Sequence, residues 1–324
     1  MNWKAIKMQE LTKTDFCLMV PVFNEEDNIL FLHNSVQPVL ESLIKSDYKV
    51  KILFVDNAST DKTKYMIEKL PKTNVIIEHI EWVRNYGIGV SVYNGYKYSN
   101  AKATLVFDCD VQDPPELITQ IFAKWQEGYK FVYGIRQSRK EGALLRVLRI
   151  LFRFTARFLG GNGQSKIESG TWLLDEKVVE DLIANPPSTD FLAGTLANRK
   201  YPSIGVEYHR VSREHGKSKF SFIKYLKYAM GGIFGDNMRL LRITLLIGLV
   251  NLCVSTILII LLIIAKLSGS IQITSGLVSV SIVVYLFASG LFVSIGLLSE
   301  YVGRIFRSTS RILEAIPVSV SRIH

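Results

Sequence analysis

The run Phe16-Cys-Leu-Met-Val20 is apolar throughout, and Lys51-Ile-Leu-Phe-Val55 has four apolar residues after its lysine. Short apolar runs that end at polar turns are typical of parallel strands buried on both faces. Further strands are predicted at 74–77, 104–107 and 130–133, with helical patterns at 25–45, 60–70, 89–99 and 114–127 between the strands. Strands that alternate with helices in this way predict an α/β domain with a mainly parallel sheet.

Polar side chains follow three of these predicted strands. They are residues 24–25 after the first strand, 56–57 after the second, and Asp108 and Asp110 after the fourth. Because ligands bind at the carboxyl ends of the strands in such sheets, we expect these groups to form one rim. Two carboxylates at positions i and i+2 point to opposite faces inside a strand and converge only where the strand ends. Asp108 and Asp110 therefore predict a site for a hard divalent cation that keeps positions open for phosphate oxygens.

The composition excludes several classes of protein. The 324 residues include 39 Lys and Arg against 29 Asp and Glu, a net charge of +10, and 48% of them are hydrophobic. A disordered chain would be poorer in apolar residues. Cys17, Cys109 and Cys253 lack the spacing of a disulfide scaffold or a zinc site, which indicates a reducing compartment.

Two segments near the end of the chain, 243–265 and 276–298, contain no charged residue. As helices, each is long enough to cross a hydrocarbon core of about 30 Å, and a pair of buried core helices is the alternative. The loop between them carries only Lys266, whereas basic residues flank both segments: Lys217, Lys219, Lys224, Lys227, Arg239 and Arg242 before them, and Arg304, Arg307, Arg311 and Arg322 after them. The positive-inside rule then predicts that the loop is outside and both termini are cytoplasmic.

These patterns predict a cytosolic domain over 1–236, a transmembrane hairpin over 237–303 and a basic cytosolic tail over 304–324. Within the domain, 143–160 and 219–236 are candidate helices of the membrane interface. The first has four arginines on one face and apolar residues on the other: Arg146, Arg149, Arg153 and Arg157. An ordinary core-facing helix with a solvated basic face is the alternative. Nucleic acid could also meet such a stripe, but a membrane anchor argues against that partner.

Five motifs together resemble the family 2 glycosyltransferases of the GT-A fold. They are Val20-Pro-Val-Phe-Asn-Glu-Glu26, Val55-Asp-Asn-Ala-Ser-Thr-Asp61, Arg84-Asn-Tyr-Gly87, Asp108-Cys-Asp-Val-Gln-Asp-Pro-Pro-Glu116 and Arg213-Glu-His-Gly-Lys-Ser-Lys-Phe-Ser221. With two apolar segments after them, the chain looks like the polyprenyl-phosphate glycosyltransferases, such as the bactoprenol glucosyltransferases of O-antigen modification and the dolichol-phosphate mannose synthases.

The resemblance implies roles for individual residues. Pro21, Glu25 and Asp56 would hold the nucleoside. Asp108, Asp110 and Gln112 would hold Mg²⁺ or Mn²⁺ and the diphosphate. Arg213 would close over the diphosphate, with Ser218 and Lys219 beside it, and Arg136 would meet the acceptor phosphate. The amphipathic pattern of 143–160, not the resemblance, assigns Arg146, Arg149 and Arg153 to the acceptor and the membrane surface.

Two departures from the family pattern bear on the sugar more than on the reaction. The usual D-D-G-S reads Asp56-Asn-Ala-Ser59, and the usual G-D-F-R-L reads Ser169-Gly-Thr-Trp-Leu173. The first departure loses one carboxylate, and the second loses an aspartate and an arginine.

The expected reaction is transfer of a sugar, with inversion, from a nucleotide sugar to polyprenyl phosphate at the cytoplasmic face of a bacterial inner membrane. UDP-glucose and undecaprenyl phosphate are the leading pair, and a homo-oligomer is an expectation from the resemblance alone. A phosphate acceptor is already anionic near neutral pH and needs no strong base. A processive polysaccharide synthase is disfavoured because the chain has no Q-x-x-R-W string. A silent nucleotide-sugar-binding subunit is the other alternative.

Overall fold

The computed structural model describes residues 11–137, 170–187, 192–210, 238–268, 275–309 and 312–323. Contacts within these ranges divide the chain into two compact units. The first unit, the sheet domain, contains the described residues up to 210 and again those from 312 onward. The second is a helical unit over the described residues between 238 and 309.

In the described part of the sheet domain, eight strands form one sheet and six helices pack on it. The strands are β1 (Thr14–Val22), β2 (Val50–Asp56), β3 (Ile76–Trp82), β4 (Ala101–Val106), β5 (Phe131–Arg136), β6 (Trp172–Asp175), β7 (Ser203–Tyr208) and β8 (Pro317–Arg322). The helices are α1 (Ile29–Lys45), α2 (Thr63–Glu68), α3 (Ile88–Ser99), α4 (Glu116–Gln126), α5 (Glu176–Ala184) and α6 (Leu192–Asn198).

The strand order is β7-β5-β6-β4-β1-β2-β3-β8. β1 runs parallel to both β2 and β4, β2 runs parallel to β3, and β5 runs parallel to β7. β6 is antiparallel to both of its neighbours, and β8 is antiparallel to β3. This topology confirms the mainly parallel α/β fold predicted from the alternating pattern.

Both faces of the sheet are covered by helices, which is why its central strands are apolar on both sides. Along β1, Phe16 and Leu18 point into a core cluster with α1 and α4, whereas Cys17 and Met19 point into a second cluster with α3. α3 approaches the sheet closely because Gly95 has no side chain, and a Cβ atom there would lie 2.6 Å from the Met19 sulfur. The long apolar runs are therefore the core of the domain.

The third strand extends further than the apolar pattern indicates. The apolar pattern predicts this strand at 74–77, whereas it runs over Ile76–Trp82. The pattern is interrupted by Glu78, a charged residue that is nevertheless buried in the strand. The Glu78 carboxylate accepts a hydrogen bond from Lys51 Nζ at 2.7 Å, and both side chains are fully buried. A buried charge of this kind is tolerated only when it is paired.

The end of the chain differs from the predicted basic tail. Residues 317–322 form the edge strand β8, which pairs Val320 with Ile80 of β3. Just before this strand, the Ile316 carbonyl accepts a hydrogen bond from Val83 N at 2.9 Å, and the Leu313 carbonyl accepts one from Asn94 Nδ2 at 2.9 Å. The sequence Pro-Val-Ser-Val-Ser-Arg alternates apolar and polar residues, as a half-buried strand does.

The helical unit consists of α7 (Met238–Leu267) and α8 (Ser275–Thr309), which pack against each other. Gly248 allows close approach, since a Cβ atom there would lie 2.7 Å from Val293 N, and the hydroxyls of Ser255 and Ser289 are 3.2 Å apart. Among the described residues, one helical segment, Val280–Gly303, is long and apolar enough to cross a membrane. A shorter apolar segment spans Leu246–Leu261 in α7.

Replacing Val320 by Asp tests whether β8 is an integral part of the sheet. Val320 packs against the second core cluster, so a carboxylate there should lower the free energy of unfolding by about 1–3 kcal/mol. Val318→Asp is the matched control, because Val318 is 54% exposed on the same strand. Thermal unfolding of the detergent-purified protein measures both variants, and equal stability of the two would contradict the packing described for β8.

Candidate active site

The carboxyl ends of six strands open onto one edge of the sheet. β4, β1, β2 and β3 are parallel neighbours, and β5 runs in the direction of β4 because β6 is antiparallel to both. β7 is parallel to β5, so it ends at this edge too, and β6 begins there. The loops at this edge therefore bring together residues that are far apart in the sequence, as expected for the binding edge of such a sheet.

Three carboxylates and an arginine meet after β4. An Nη atom of Arg210, two residues beyond the end of β7, lies 3.8 Å from Asp108 Oδ2, and its Nε lies 3.4 Å from Asp113 Oδ1. Asp113 is fully buried and accepts a short hydrogen bond from the Thr171 hydroxyl. Asp110 completes the group, close enough to Asp108 for the two charges to repel each other.

Crowding changes the proton affinity of Asp108. Burial, and then the negative charges of Asp113 and Asp110, raise the pKa of the Asp108 carboxyl to about 6, while Arg136 and Arg210 oppose that shift. The carboxylate is thus ionised at neutral pH, although the nearby arginines do not fully offset its burial and the two neighbouring carboxylates. Such a group gains from the arrival of a cation.

The turn that carries Asp110 and Gln112 is strained. Val111 between them has φ of +47°, in the left-handed region that a β-branched residue seldom adopts. This conformation turns the chain back on itself, and Gln112 N donates a hydrogen bond to Asp110 Oδ1 at 3.3 Å. Backbone strain of this kind is concentrated at functional sites in proteins.

The donor set at this turn fits Mg²⁺ or Mn²⁺. Carboxylate oxygens are the hard ligands that these ions prefer, and Mg²⁺ sites commonly use one or two carboxylates together with substrate phosphates. Across the ranges that the structure describes, no group of three or more His, Cys, Asp or Glu side chains is arranged to hold a metal by itself. The Asp108 carboxylate packs closely against Gly170, since a Cβ atom there would lie 3.2 Å from each carboxylate oxygen.

Arg136, which the resemblance assigns to the acceptor phosphate, lies in the same cluster. Its Nε donates a hydrogen bond to the Tyr208 hydroxyl at 3.0 Å, and its charge acts on Asp108 and Asp113. Burial and the charge of Asp113 raise the pKa of the Tyr208 phenol, so this side chain stays neutral. Tyr208 therefore holds the Arg136 guanidinium beside the carboxylates without adding a charge.

The loops after β1 and β2, which contain or adjoin the predicted nucleoside residues, are joined to each other by hydrogen bonds. Glu25 N donates to Thr63 Oγ1 at 2.8 Å, and Asn24 N donates to Ser59 Oγ at 3.0 Å. Pro21 lies in β1, and Asp56 is the last residue of β2. The Asp56 side chain is only 1% exposed and accepts hydrogen bonds from the Ser59 amide and hydroxyl, so it shapes its own loop. Its contact with a nucleoside stays a prediction.

The structure gives the first departure from the family pattern a physical reason. Asn57 Nδ2 donates to Asn85 Oδ1 at 2.9 Å, and Asn57 Oδ1 accepts from Tyr86 N at 2.9 Å. Asn85 Oδ1 also accepts from Gly87 N at 2.9 Å. Asn57 thus fastens the 84–87 loop with one donor and one acceptor, and a carboxylate has no donor for this purpose.

Several predicted site residues lie outside the described residues. They are Arg213, Ser218, Lys219, Arg146, Arg149 and Arg153, together with the candidate interface helices 143–160 and 219–236. Conversely, the sequence analysis did not assign Asp113, Thr171 or Arg210 to the site. Asp113 directly follows Gln112 and could have been included, but Arg210 depends on β7, a strand that the apolar pattern did not indicate.

The chain also matches known proteins. The sequence pattern of glycosyl transferase family 2 covers residues 17–183. The chain belongs to this family. It is 30% identical over 299 residues to the bactoprenol glucosyl transferase of Shigella phage SfX, covering 90% of this chain and 95% of that one.

Two further similarities extend this comparison. The family 2 chain is 27% identical over 302 residues to the undecaprenyl-phosphate 4-deoxy-4-formamido-L-arabinose transferase of Proteus mirabilis, covering 89% of this chain and 88% of the other. Among solved structures, it matches a glucosyl-3-phosphoglycerate synthase from Mycobacterium tuberculosis in complex with Mn²⁺, UDP-glucose and phosphoglyceric acid. That match has a TM-score of 0.47 and 16% identity, and covers 68% of this chain and 77% of the synthase. By its family the protein is a glycosyltransferase, and its relatives include enzymes named for polyprenyl-phosphate substrates.

The role of Asn57 can be tested by Asn57→Asp, which restores the usual family residue. The new carboxylate would face Asn85 Oδ1, which is also an acceptor. Asn85 could offer its amide nitrogen only by rotating its side chain, and it would then lose the hydrogen bond that Oδ1 accepts from Gly87 N. We expect the free energy of unfolding to fall by about 1–3 kcal/mol. Asn34→Asp, the same exchange at an exposed position of α1, is the control. A variant as stable as the control would refute this role.

Proposed function

We propose that this glycosyltransferase transfers a sugar from a nucleotide sugar to a polyprenyl phosphate at the cytoplasmic face of a bacterial inner membrane. The product would be a lipid-linked monosaccharide, with UDP-glucose and undecaprenyl phosphate as the leading substrates. The observation that carries the proposal is the cluster of Asp108, Asp110 and Asp113 with Arg136 and Arg210 at the binding edge of the sheet. The names of the phage and Proteus relatives support the choice of acceptor.

The donor side of the reaction requires that the negative charge of a departing nucleoside diphosphate be balanced. Asp108 and Asp110 would hold Mg²⁺ or Mn²⁺, with Gln112 beside them, and the bound ion supplies Lewis-acid stabilisation of the diphosphate. Arg210 and, beyond the described residues, Arg213 would add positive charge on the same side. Charge that is fixed in place before the reaction is an effective form of catalysis.

The acceptor side needs little activation. A lipid phosphate is largely dianionic at neutral pH, so its oxygen can attack the anomeric carbon without a strong base. Arg136 would hold this phosphate, since Tyr208 already positions its guanidinium near the carboxylates. The bond from the anomeric carbon to the lipid phosphate forms as the bond to the nucleoside diphosphate breaks, which inverts the anomeric centre.

The membrane anchor in this proposal is the helical pair α7 and α8. The chain leaves the sheet domain after β7 and returns to it in β8, so the helical pair is inserted between two parts of one domain. This connectivity supports a hairpin whose two ends lie on the same side of the membrane, which we propose is the cytoplasmic side. The basic flanks, and Lys266 as the single charged residue between the two uncharged segments, support the same orientation.

The choice of sugar would depend on the residues that begin β6. Trp172 donates a hydrogen bond to the Tyr96 hydroxyl at 2.8 Å and packs in the second core cluster. Gly170 and Thr171 are therefore the members of this stretch that lie beside Asp108 and Asp113. We propose that Gly170 shapes the site for the sugar by allowing the Asp108 carboxylate to lie against it.

The experiment is transfer of radiolabelled sugar into the organic phase by the purified enzyme, with undecaprenyl phosphate, Mg²⁺ or Mn²⁺ and a panel of nucleotide sugars. We expect label from one donor, lost with chelator and reduced about a hundredfold or more in Asp110→Asn. Asp181→Asn is the matched control, since Asp181 pairs with Arg199 at 2.9 Å, away from the carboxylates after β4.

Two outcomes would contradict the proposal. Binding of nucleotide sugars with no transfer from any donor would indicate a silent subunit. Label in a polymer, with none in a lipid-linked monosaccharide, would indicate a processive synthase.

A further inference from the structure

Arg210 bridges two carboxylates without making a good hydrogen bond to either of them. Its Nε and Asp113 Oδ1 are 3.4 Å apart, and both atoms are buried without a hydrogen-bond partner. The contact with Asp108 Oδ2 is longer still, at 3.8 Å. Among the described residues, charge attraction holds the guanidinium here without a hydrogen bond, and contacts of this kind are easily exchanged for stronger ones.

The two carboxylates hold Arg210 differently. Asp113 is fully buried and is fixed by Thr171 and Tyr208, so its position is set by the fold. The Asp108 side chain is 26% exposed and lies against Gly170, which has no side chain to hold it. Arg210 can therefore release Asp108 while it remains anchored on Asp113.

The balance of charge gives this release a cause. Among the described residues, three carboxylates, Asp108, Asp110 and Asp113, face two guanidinium groups, Arg136 and Arg210. One negative charge is in excess in this group of five side chains, and a divalent cation on Asp108 would reverse the sign of their summed charge. The cation and the Arg210 guanidinium thus compete for one carboxylate, as like charges do at short range.

We propose that Arg210 is the resident counter-ion of Asp108, displaced from that carboxylate when a divalent cation binds and then free to meet the phosphates of the nucleotide. This inference rests on the proposed function, because it requires the metal and diphosphate site. Its consequence is a thermodynamic linkage: Arg210 weakens the binding of the metal alone, and strengthens the binding of metal and nucleoside diphosphate together.

The test is the affinity of the full-length, detergent-purified protein for Mn²⁺, measured from the electron paramagnetic resonance signal of the free ion, with and without UDP. In Arg210→Gln, we expect Mn²⁺ alone to bind about fivefold or more tightly than in the wild type. The factor by which UDP increases Mn²⁺ affinity should become smaller by a similar amount. Arg210→Lys, which keeps the charge, should stay close to the wild type.

Arg199→Gln is the control, because Arg199 also pairs with an aspartate, Asp181, but away from this cluster. Equal or weaker Mn²⁺ binding in Arg210→Gln, with an unchanged effect of UDP, would overturn the inference and leave the proposed function standing. A wild-type protein that binds no Mn²⁺ even with UDP would overturn the metal site itself.

A second measurement uses only the wild-type protein. It avoids Arg210→Gln, in which the buried Asp113 would lose a counter-ion and the fold could be disturbed. Phenylglyoxal modifies accessible arginines, and mass spectrometry can follow Arg210 and Arg199 in the wild-type protein. Mn²⁺ should increase the modification rate of Arg210 severalfold and leave that of Arg199 unchanged. UDP added together with Mn²⁺ should then lower the modification rate of Arg210 again. A rate for Arg210 that does not respond to Mn²⁺ would contradict displacement.

Discussion

Repulsion among Asp108, Asp110 and Asp113 is the constraint on which the rest of the site depends. These carboxylates follow a single strand, and the fold surrounds them with groups from distant parts of the chain. Arg136 comes from the end of β5, Arg210 follows β7, and Thr171 precedes β6. A divalent cation and a diphosphate would complete the same balance of charge, which makes a nucleotide sugar a suitable donor for this edge of the sheet.

The scaffold brings these groups together through strand direction and through the return of the chain after the helical pair. Parallel strands place the loops after β1, β2 and β4 side by side, and hydrogen bonds between Asn57 and the 84–87 loop connect the donor side. Just before that loop, Val83 N donates a hydrogen bond to the Ile316 carbonyl, in the segment that leads into β8. Residues 312–323 thus support the region of the sheet that carries this loop.

The sequence was sufficient to predict the central strands and the carboxylates after β4, because short apolar runs that end at polar turns are typical of buried parallel strands. It did not predict the full length of β3, since Glu78 is buried only through Lys51, which comes from another strand. β6 has only four residues and β8 only six, so each is too short to give a long periodic signal. β8 also follows the helical pair, which separates it in the sequence from the other strands. Arg210 could not be assigned because its place beside Asp113 depends on β7.

The central claim is that the carboxylates after β4 hold a divalent cation, and Mn²⁺ affinity as a function of pH tests it most directly. The pKa of the Asp108 carboxyl is raised to about 6, so protons should compete with the ion below that pH. We predict constant affinity above about pH 7, a fall of up to about tenfold per unit below pH 6, and loss of binding in Asp108→Asn. Absence of Mn²⁺ binding at pH 7.5, or binding that neither low pH nor Asp108→Asn weakens, would contradict the account.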